Sequence, residues 1–398
     1  VAAYLFDARY ELKSDLYPAN VCYNIALAFQ RTAQTQHYAE TSKDFTFQAK
    51  TTRPEKNREV YVMVIGETSR AANWSIYGYN RNTNPELTKI KGLTAFSHVL
   101  TESNTTHKSV PMLMSSVTAH DFNSIYRQKG IITAFKEAGY RTSFFSNQRY
   151  NHSFIDFFGK EADICDFIKE DTGDGGYNPS DDELLKLVAA ELAENVSKQF
   201  IVLHTYGSHF NYRERYPADN AFFLPDFPVD AELKYKDNLI NAYDNSIRYT
   251  DNFLARLIRM LQEQAAMLYT SDHGEDIFDD DRHLFLHASP VPSYYQIHVP
   301  FLIWMSDNYR KNYPDLFKNA EINRQKNISS SASFFQTMLE LGGIDTPSRN
   351  DSLSVINASY TEKNRVYLND HNEARSLNDI GMREEDFTML QTKGIVYR

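Results

Sequence analysis

The stretch E-V-Y-V-M-V-I-G-E, residues 59–67, decides the fold. It is short, apolar and rich in β-branched side chains, and it ends in Gly-Glu. Such a run has no polar face to offer water. It reads as a strand buried on both faces, the condition of strands in a parallel sheet. Four runs of the same character follow: R-T-S-F-F-S-N (141–147), Q-F-I-V-L-H-T-Y-G-S-H (199–209), A-M-L-Y-T-S-D-H-G-E (266–275) and V-P-F-L-I-W-M-S (299–306). Helical patterns lie between and after them, at 130–139, 181–192, 243–261 and 329–341. Strand alternating with helix predicts an α/β fold, doubly wound, with a mostly parallel central sheet and helices on both faces.

The bulk composition agrees. The chain has 398 residues, of which 42% are hydrophobic, enough for one large α/β domain with a sizeable core. The formal net charge of -10 argues against a non-specific nucleic-acid binder, which needs an excess of Lys and Arg. It does not argue against small phosphorylated substrates, because a metal ion can supply local positive charge. The two cysteines, Cys22 and Cys165, lack CxxC partners and read as ordinary thiols. No run reaches the roughly 18 apolar residues of a membrane span. The chain opens on V-A-A-Y-L-F-D-A-R-Y, without Met or a basic signal region, so something upstream is expected to be missing. Residues 1–58 read as a lead-in. It holds a short amphipathic helix within 16–29, then a polar stretch that ends in T-T-R-P-E-K-N-R (51–58). Residues 59–398 read as one domain, without internal repeats or low-complexity segments.

In open α/β sheets, ligands bind beyond the carboxyl ends of the strands. Polar residues collect there in this chain. The first strand ends in Glu67; the third runs into Gly207, Ser208 and His209; the fourth runs into Asp272, His273 and Glu275, with His287 farther on. Taken singly, each has a plainer reading as a loop carboxylate, a capping pair or a hydrogen-bonded core histidine. Together, on one edge of one sheet, Glu, Asp and His make a ligand set for a divalent metal. The acidic run 279–281 lacks the register of a calcium loop, and no GxGxxG or P-loop pattern occurs. One further stretch, S-N-T-T-H-K-S-V-P (103–111), offers four hydroxyls, Ser103, Thr105, Thr106 and Ser109, and the residues alone do not rank them.

Seven motifs, in order, resemble those of the bacterial phosphoethanolamine transferases, members of the alkaline phosphatase and sulfatase superfamily. They are V-I-G-E-T-S-R (64–70) with Y-G-Y-N-R-N-T-N-P from Tyr77, T-T-H-K-S-V-P-M (105–112), G-S-H-F-N-Y-R-E-R-Y-P (207–217), N-A-Y-D-N-S-I-R-Y-T-D (241–251), S-D-H-G-E (271–275), L-F-L-H-A (284–288) and V-P-F-L-I-W-M-S (299–306). The resemblance covers roughly residues 16–310 and implies an alkaline phosphatase/sulfatase-like fold. It implies Thr106 as nucleophile, and Glu67, Thr106, Asp272 and His273 as metal ligands. It implies His209 and His287 as catalytic and substrate-contacting residues, and Asn147 as a substrate contact. The implied metal is zinc at one tight site, with a second weaker site and manganese or calcium as alternatives. A metal-bound threonine hydroxyl has a lowered pKa, which makes an alkoxide accessible.

The implied reaction is ping-pong. Phosphoethanolamine passes from phosphatidylethanolamine to Thr106, and then to a lipid A, lipopolysaccharide-core or other envelope acceptor. The implied location is the periplasmic face of a Gram-negative inner membrane, reached through an N-terminal membrane domain not in this sequence. Three departures stand out. Glu102 and Met112 occupy the places where many members carry a cysteine pair. The loop S-N-Q-R-Y-N-H-S-F (146–154) keeps Asn147 but has no phosphate-contacting lysine, leaving Arg149 or His152 as substitutes. The loop after S-D-H-G-E also brings an extra histidine, His283. A sulfatase is disfavoured, because no C/S-x-P-x-R follows Thr106. A glycerophosphate transferase with the same threonine and metal, another phosphodiesterase of the superfamily, and a binding module that kept the fold without activity are the rival readings.

Overall fold

The computed structural model describes residues 17–54, 58–169, 178–194, 196–261 and 263–397. In chain order the elements that position the site are α1 (Ala19–Gln36), β1 (Glu59–Gly66), β2 (Leu93–Phe96), α2 (Thr106–Leu113), α3 (Ile131–Glu137), β3 (Arg141–Ser146), β4 (Ile164–Phe167), α4 (Asp182–Ala193), β5 (Lys198–His204), α5 (Lys236–Met260), β6 (Gln264–Ser271), β7 (Phe301–Met305), α6 (Ser330–Leu341) and α7 (Glu384–Thr392). The seven strands form one sheet in the order β2-β7-β6-β1-β5-β3-β4. β1 is central and pairs in parallel with β5 and β6, and β3 pairs in parallel with β5 and β4. β7 runs antiparallel between β6 and β2. The run at 299–306 is therefore a strand, but it points the opposite way from its apolar look-alikes.

Every residue of β1 is buried. Because side chains alternate along a strand, Tyr61, Met63 and Ile65 join one core with Val110 of α2, Phe135 of α3 and Phe334 of α6. Val60, Val62 and Val64 join a second core with Leu184 of α4 and Leu254 of α5. Helices thus cover both faces, as expected for a strand apolar on both sides. Two strands escape a periodicity reading. β2 and β4 are four residues long, and only half the residues of β2 are buried and none of β4.

No residue of α1 is buried. Farther along the lead-in, Tyr38, Phe47 and Ala49 enter the first core, and Lys50–Thr51 pairs with Ile344–Asp345. The packed body therefore begins ahead of residue 58. The opening stretch read as a processed end, and residues 55–57 of the polar tract, lie outside the described residues. Among the described residues no helix is long and apolar enough to cross a membrane.

Candidate active site and metal centre

The site is assembled by turns that leave β1, β5 and β6 at their carboxyl ends. Backbone bonds tie the turns together: Thr205 N donates to Ile65 O (3.0 Å), Ser208 N to Glu67 O (2.9 Å) and Asp272 N to Gly66 O (3.0 Å). Gly207 has φ +51°, and a Cβ there would lie 2.6 Å from Glu67 O. Only glycine lets the 204–209 turn approach β1 so closely. From the helical face, Tyr243 Oη donates to Thr68 O (2.8 Å) and accepts from Arg70 N (2.9 Å). Asp244 takes Asn73 Nδ2 (2.7 Å) and Tyr79 Oη (2.9 Å) and ion-pairs with Arg81 (2.8 Å). The motifs at 77–85 and 241–251 thus lock onto one another, and their shared work is to fix the turn that carries Glu67.

Glu67, Asp272 and His273 offer ligand atoms that all lie within 4.8 Å of one another, and all three residues are buried. Asp272 Oδ1 accepts from Thr68 N (3.0 Å) and His273 N (2.8 Å), while Oδ2 has no hydrogen-bond partner. His273 Nδ1 lies 2.9 Å from Gly274 O, which makes Nδ1 the protonated nitrogen and leaves the Nε2 lone pair toward the carboxylates. Nε2 stands 3.5 Å from Glu67 Oε1 and 3.3 Å from Asp272 Oδ2. Burial, then the neighbouring Asp272, holds the Glu67 carboxyl well above its ordinary range. Burial also raises Asp272, and it drives His273 well below the ordinary imidazole range. A bare pair of buried carboxylates beside a neutral imidazole is costly, and a divalent cation reverses that balance. The orphaned Asp272 oxygen and the mixed oxygen-nitrogen donors fit such an ion.

The four hydroxyls of 103–109 now separate. Thr106 opens α2, and its Oγ1 lies 3.2 and 3.4 Å from the Glu67 carboxylate oxygens and 3.1 Å from His273 Nε2. Ser109 Oγ donates back to Thr105 O (2.8 Å), and Ser103 Oγ and Thr105 Oγ1 pair with each other at 3.1 Å. Only Thr106 of the four reaches the carboxylates and the imidazole.

His209 and His287 flank this centre. The His287 ring stacks obliquely on His273, 4.1 Å between centroids, and its Nδ1 stands 3.8 Å from Glu275 Oε2. His209 Nδ1 lies 2.6 Å from Phe210 O, which leaves Nε2 as the free nitrogen, and burial drives its pKa down to about 4. Asn147 sits apart from the pocket. It is buried, and its amide donates to Pro179 O (3.0 Å) and Asp181 Oδ1 (2.9 Å). Its neighbour Gln148 reaches the centre instead, with Nε2 3.4 Å from Glu67 Oε2. Of the two substitutes for the absent lysine, Arg149 lines the pocket. His152 is exposed and packs on Tyr150. His283 is exposed on its loop.

Thr106 opens into a pocket of about 240 Å³ whose walls include Gln148, Arg149, Lys169, His204, Tyr206 and His209. Lys169 and His204 are the contributors that sequence reasoning misses. Lys169 follows β4, the strand too short and too exposed to be read. His204 looks like part of an apolar run.

The family described as Sulfatase matches residues 59–344. The Kdo(2)-lipid A phosphoethanolamine 7''-transferase of Escherichia coli K12 is 31% identical over 294 residues, covering 72% of this chain and 51% of that protein. The chain thus spans about half the length of the curated relatives it matches. The crystal structure of the C-terminal periplasmic domain of EptC from E. coli superposes with a TM-score of 0.72 at 25% identity, covering 80% of this chain and 91% of that one. The soluble domain of lipooligosaccharide phosphoethanolamine transferase A from Neisseria meningitidis gives 0.69 at 25%, covering 77% and 95%.

Proposed function

We propose, from the premise that the chain belongs to the sulfatase family, that it is the catalytic part of a metal-dependent phosphoethanolamine transferase. The donor is phosphatidylethanolamine, and the acceptor is lipid A or a lipopolysaccharide-core sugar. The observation that carries this reading is the placement of Thr106 Oγ1 at 3.1–3.4 Å from Glu67 and His273, at the mouth of the pocket. The names of the relatives support the transferred group. The catalytic unit is taken as residues 59–398 together with the 38–51 segment that packs into its core. The lead-in connects it to a membrane domain, so that it works on the periplasmic face of a Gram-negative inner membrane.

Glu67, Thr106, Asp272 and His273 would hold the ion, with zinc fitting the donor set. When bound, a divalent cation supplies charge that lowers the threonine pKa and offsets charge on the phosphoryl oxygens. The chain's own residues do the rest. Thr106 Oγ1 bonds to phosphorus as the bond to the diacylglycerol oxygen breaks, leaving phosphoethanolamine esterified to Thr106. At the start of α2, where Lys108 N and Ser109 N already donate to Thr105 O (3.1 and 3.0 Å), the His107 amide is assigned to a phosphoryl oxygen. His287 is assigned as the relay that takes the Thr106 proton and gives it to the departing alkoxide. His209, neutral at physiological pH with Nε2 free, is assigned as the base that takes the proton of the acceptor hydroxyl. The acceptor oxygen then displaces Thr106, and His209 passes the acceptor's proton to the released Thr106 oxygen, restoring its hydroxyl.

Incubation with labelled phosphatidylethanolamine, followed by peptide mapping, is expected to place the label on Thr106. Label on no residue, with no divalent metal retained after dialysis or taken up from added zinc, would overturn the reading. Label carried from phosphatidylglycerol instead would replace it with glycerophosphate transfer.

A further inference from the structure

The pocket beyond Thr106 has an electrostatic character that the transfer chemistry at the metal centre does not use. In a chain of net charge -10, the charged groups on its walls among the described residues are Arg149, Lys169 and one carboxylate, Asp156. That carboxylate is occupied: Asp156 Oδ2 accepts from Asn151 N (2.7 Å) and Ser153 N (3.3 Å) as part of a capping box. Lys169 is only 9% exposed, and its Nζ lies 3.3 Å above the Tyr206 ring centroid. Among the described residues no carboxylate forms an ion pair with it. The Arg215 guanidinium, paired with Glu214 at 3.0 Å, also lies on this ring, 4.1 Å from its centroid.

A second observation points the same way. His204 lines this pocket at 1% exposure, and its Nε2 has no hydrogen-bond partner. Its Nδ1 lies 3.5 Å from Ser146 Oγ. A buried polar atom without a partner is costly unless a ligand or water completes it. A buried lysine with no ion pair is costlier still; burial and the nearby Arg215 and Arg149 pull its pKa down to about 8, against the weaker opposing pull of Asp181 and Glu214. A pocket that keeps both groups unpaired is built to receive something that pairs with them.

We propose that Lys169 is a substrate-binding residue of the transfer reaction, engaging an anionic oxygen of phosphate or carboxylate, with His204 Nε2 hydrogen-bonding the same ligand on the pocket floor. This rests on the transferase reading above. Among the described residues the wall's one carboxylate is already taken up by backbone amides, so the wall favours an anion over an ammonium group. The anion has two sources, the phosphoryl group being transferred or an acidic group on the acceptor.

The test uses the full chain with zinc and three forms, wild type, Lys169→Met and Lys169→Arg. Labelling of Thr106 by phosphatidylethanolamine is followed in single turnover. Discharge is then followed to phosphorylated lipid A and to its dephosphorylated counterpart. Lys169→Met is expected to lose about ten- to hundredfold in one of the two steps, as loss of a charge-assisted contact does, and Lys169→Arg to recover most of it. Loss in labelling assigns the anion to the transferred group. Loss in discharge to the phosphorylated acceptor alone assigns it to the acceptor. Equal rates for wild type and Lys169→Met in both steps, or equal impairment by Met and Arg, would overturn the proposal. Binding of inorganic phosphate by calorimetry separates its failure from that of the transferase reading. If no form labels Thr106, at least tenfold weaker phosphate binding by Lys169→Met still supports the anion site, and unchanged binding sinks it.

Discussion

The two ends of β1 each hold a buried glutamate, and they solve the problem in opposite ways. Glu59, at the amino end, is fully buried and surrounded by donors. Tyr140 Oη donates to Oε2 (3.0 Å) and Gln264 Nε2 donates to Oε1. Lys198 and Arg53 add favourable charge, though burial still raises its pKa. Glu67, just past the carboxyl end, has a second carboxylate as its neighbour, an imidazole whose proton points away, and a hydroxyl. The amino end is closed, because its donors match its acceptors. The carboxyl end has surplus acceptors and, among the described residues, orphaned oxygens on Asp272 and Glu275, an imbalance that a cation would relieve.

Four substitutions, the first with Thr105→Ala as its control, test this contrast from the largest expected effect to the smallest. Thr106→Ala should abolish transfer, a loss of at least about 10³-fold, with the melting temperature held, whereas Thr105→Ala should retain most activity. Equal loss in both would mean that the hydroxyl near Glu67 and His273 is not the nucleophile. Asp272→Asn removes the orphaned acceptor. It should abolish zinc retention and most activity, and it should cancel the drop in melting temperature that a chelator causes in the wild type. An unchanged zinc content in the purified variant would break the metal assignment.

His209→Gln should lower kcat/KM by about 10²-fold or more. Labelling of Thr106 should survive and discharge to a hydroxyl acceptor should fail; slowed labelling with normal discharge would reverse the assigned roles of the two histidines. Glu59→Gln should leave activity untouched and shift stability by only about 1 kcal/mol. Because burial raises the Glu59 pKa in the folded state, its stabilising contribution is complete below the ordinary carboxylate value and fades as pH rises through the raised one. The glutamine variant should therefore gain on the wild type as pH increases. Denaturant titrations at several pH values would read this, and a variant that loses ground at higher pH would show that the donors outweigh the burial.

The elements that sequence pattern revealed are those with buried faces. β1, β3, β5, β6 and β7 are apolar runs, and α3, α4, α5 and α6 begin or end within a few residues of their patterns except at the start of α5, which lies seven residues ahead of the pattern at Lys236. β2 and β4 were not legible, because four residues with partial exposure carry no periodic signal. The direction of β7 was not legible either, since an apolar strand reads the same in both senses.

The site divides in the same manner. Glu67, Asp272 and His273 could be named from the chain because each directly follows an apolar strand, and the ends of neighbouring strands in a mostly parallel sheet must meet. Thr106 needed its resemblance to a known motif, and the coordinates then added the reason: the other hydroxyls of 103–109 are turned back on their own backbone or on each other. Asn147 and Gln148 are adjacent and chemically alike, and only the packing of Asp181 beneath the turn decides which amide is buried and which faces Glu67. Lys169 and His204 were beyond reach of the sequence, for a physical reason. Hydrophobic runs are local properties written along the chain, so they give the fold class and the polar residues at the strand ends. Whether a lysine or an imidazole nitrogen is left without a partner depends on what other segments bring to it, and that is decided only when the sheet closes around the pocket.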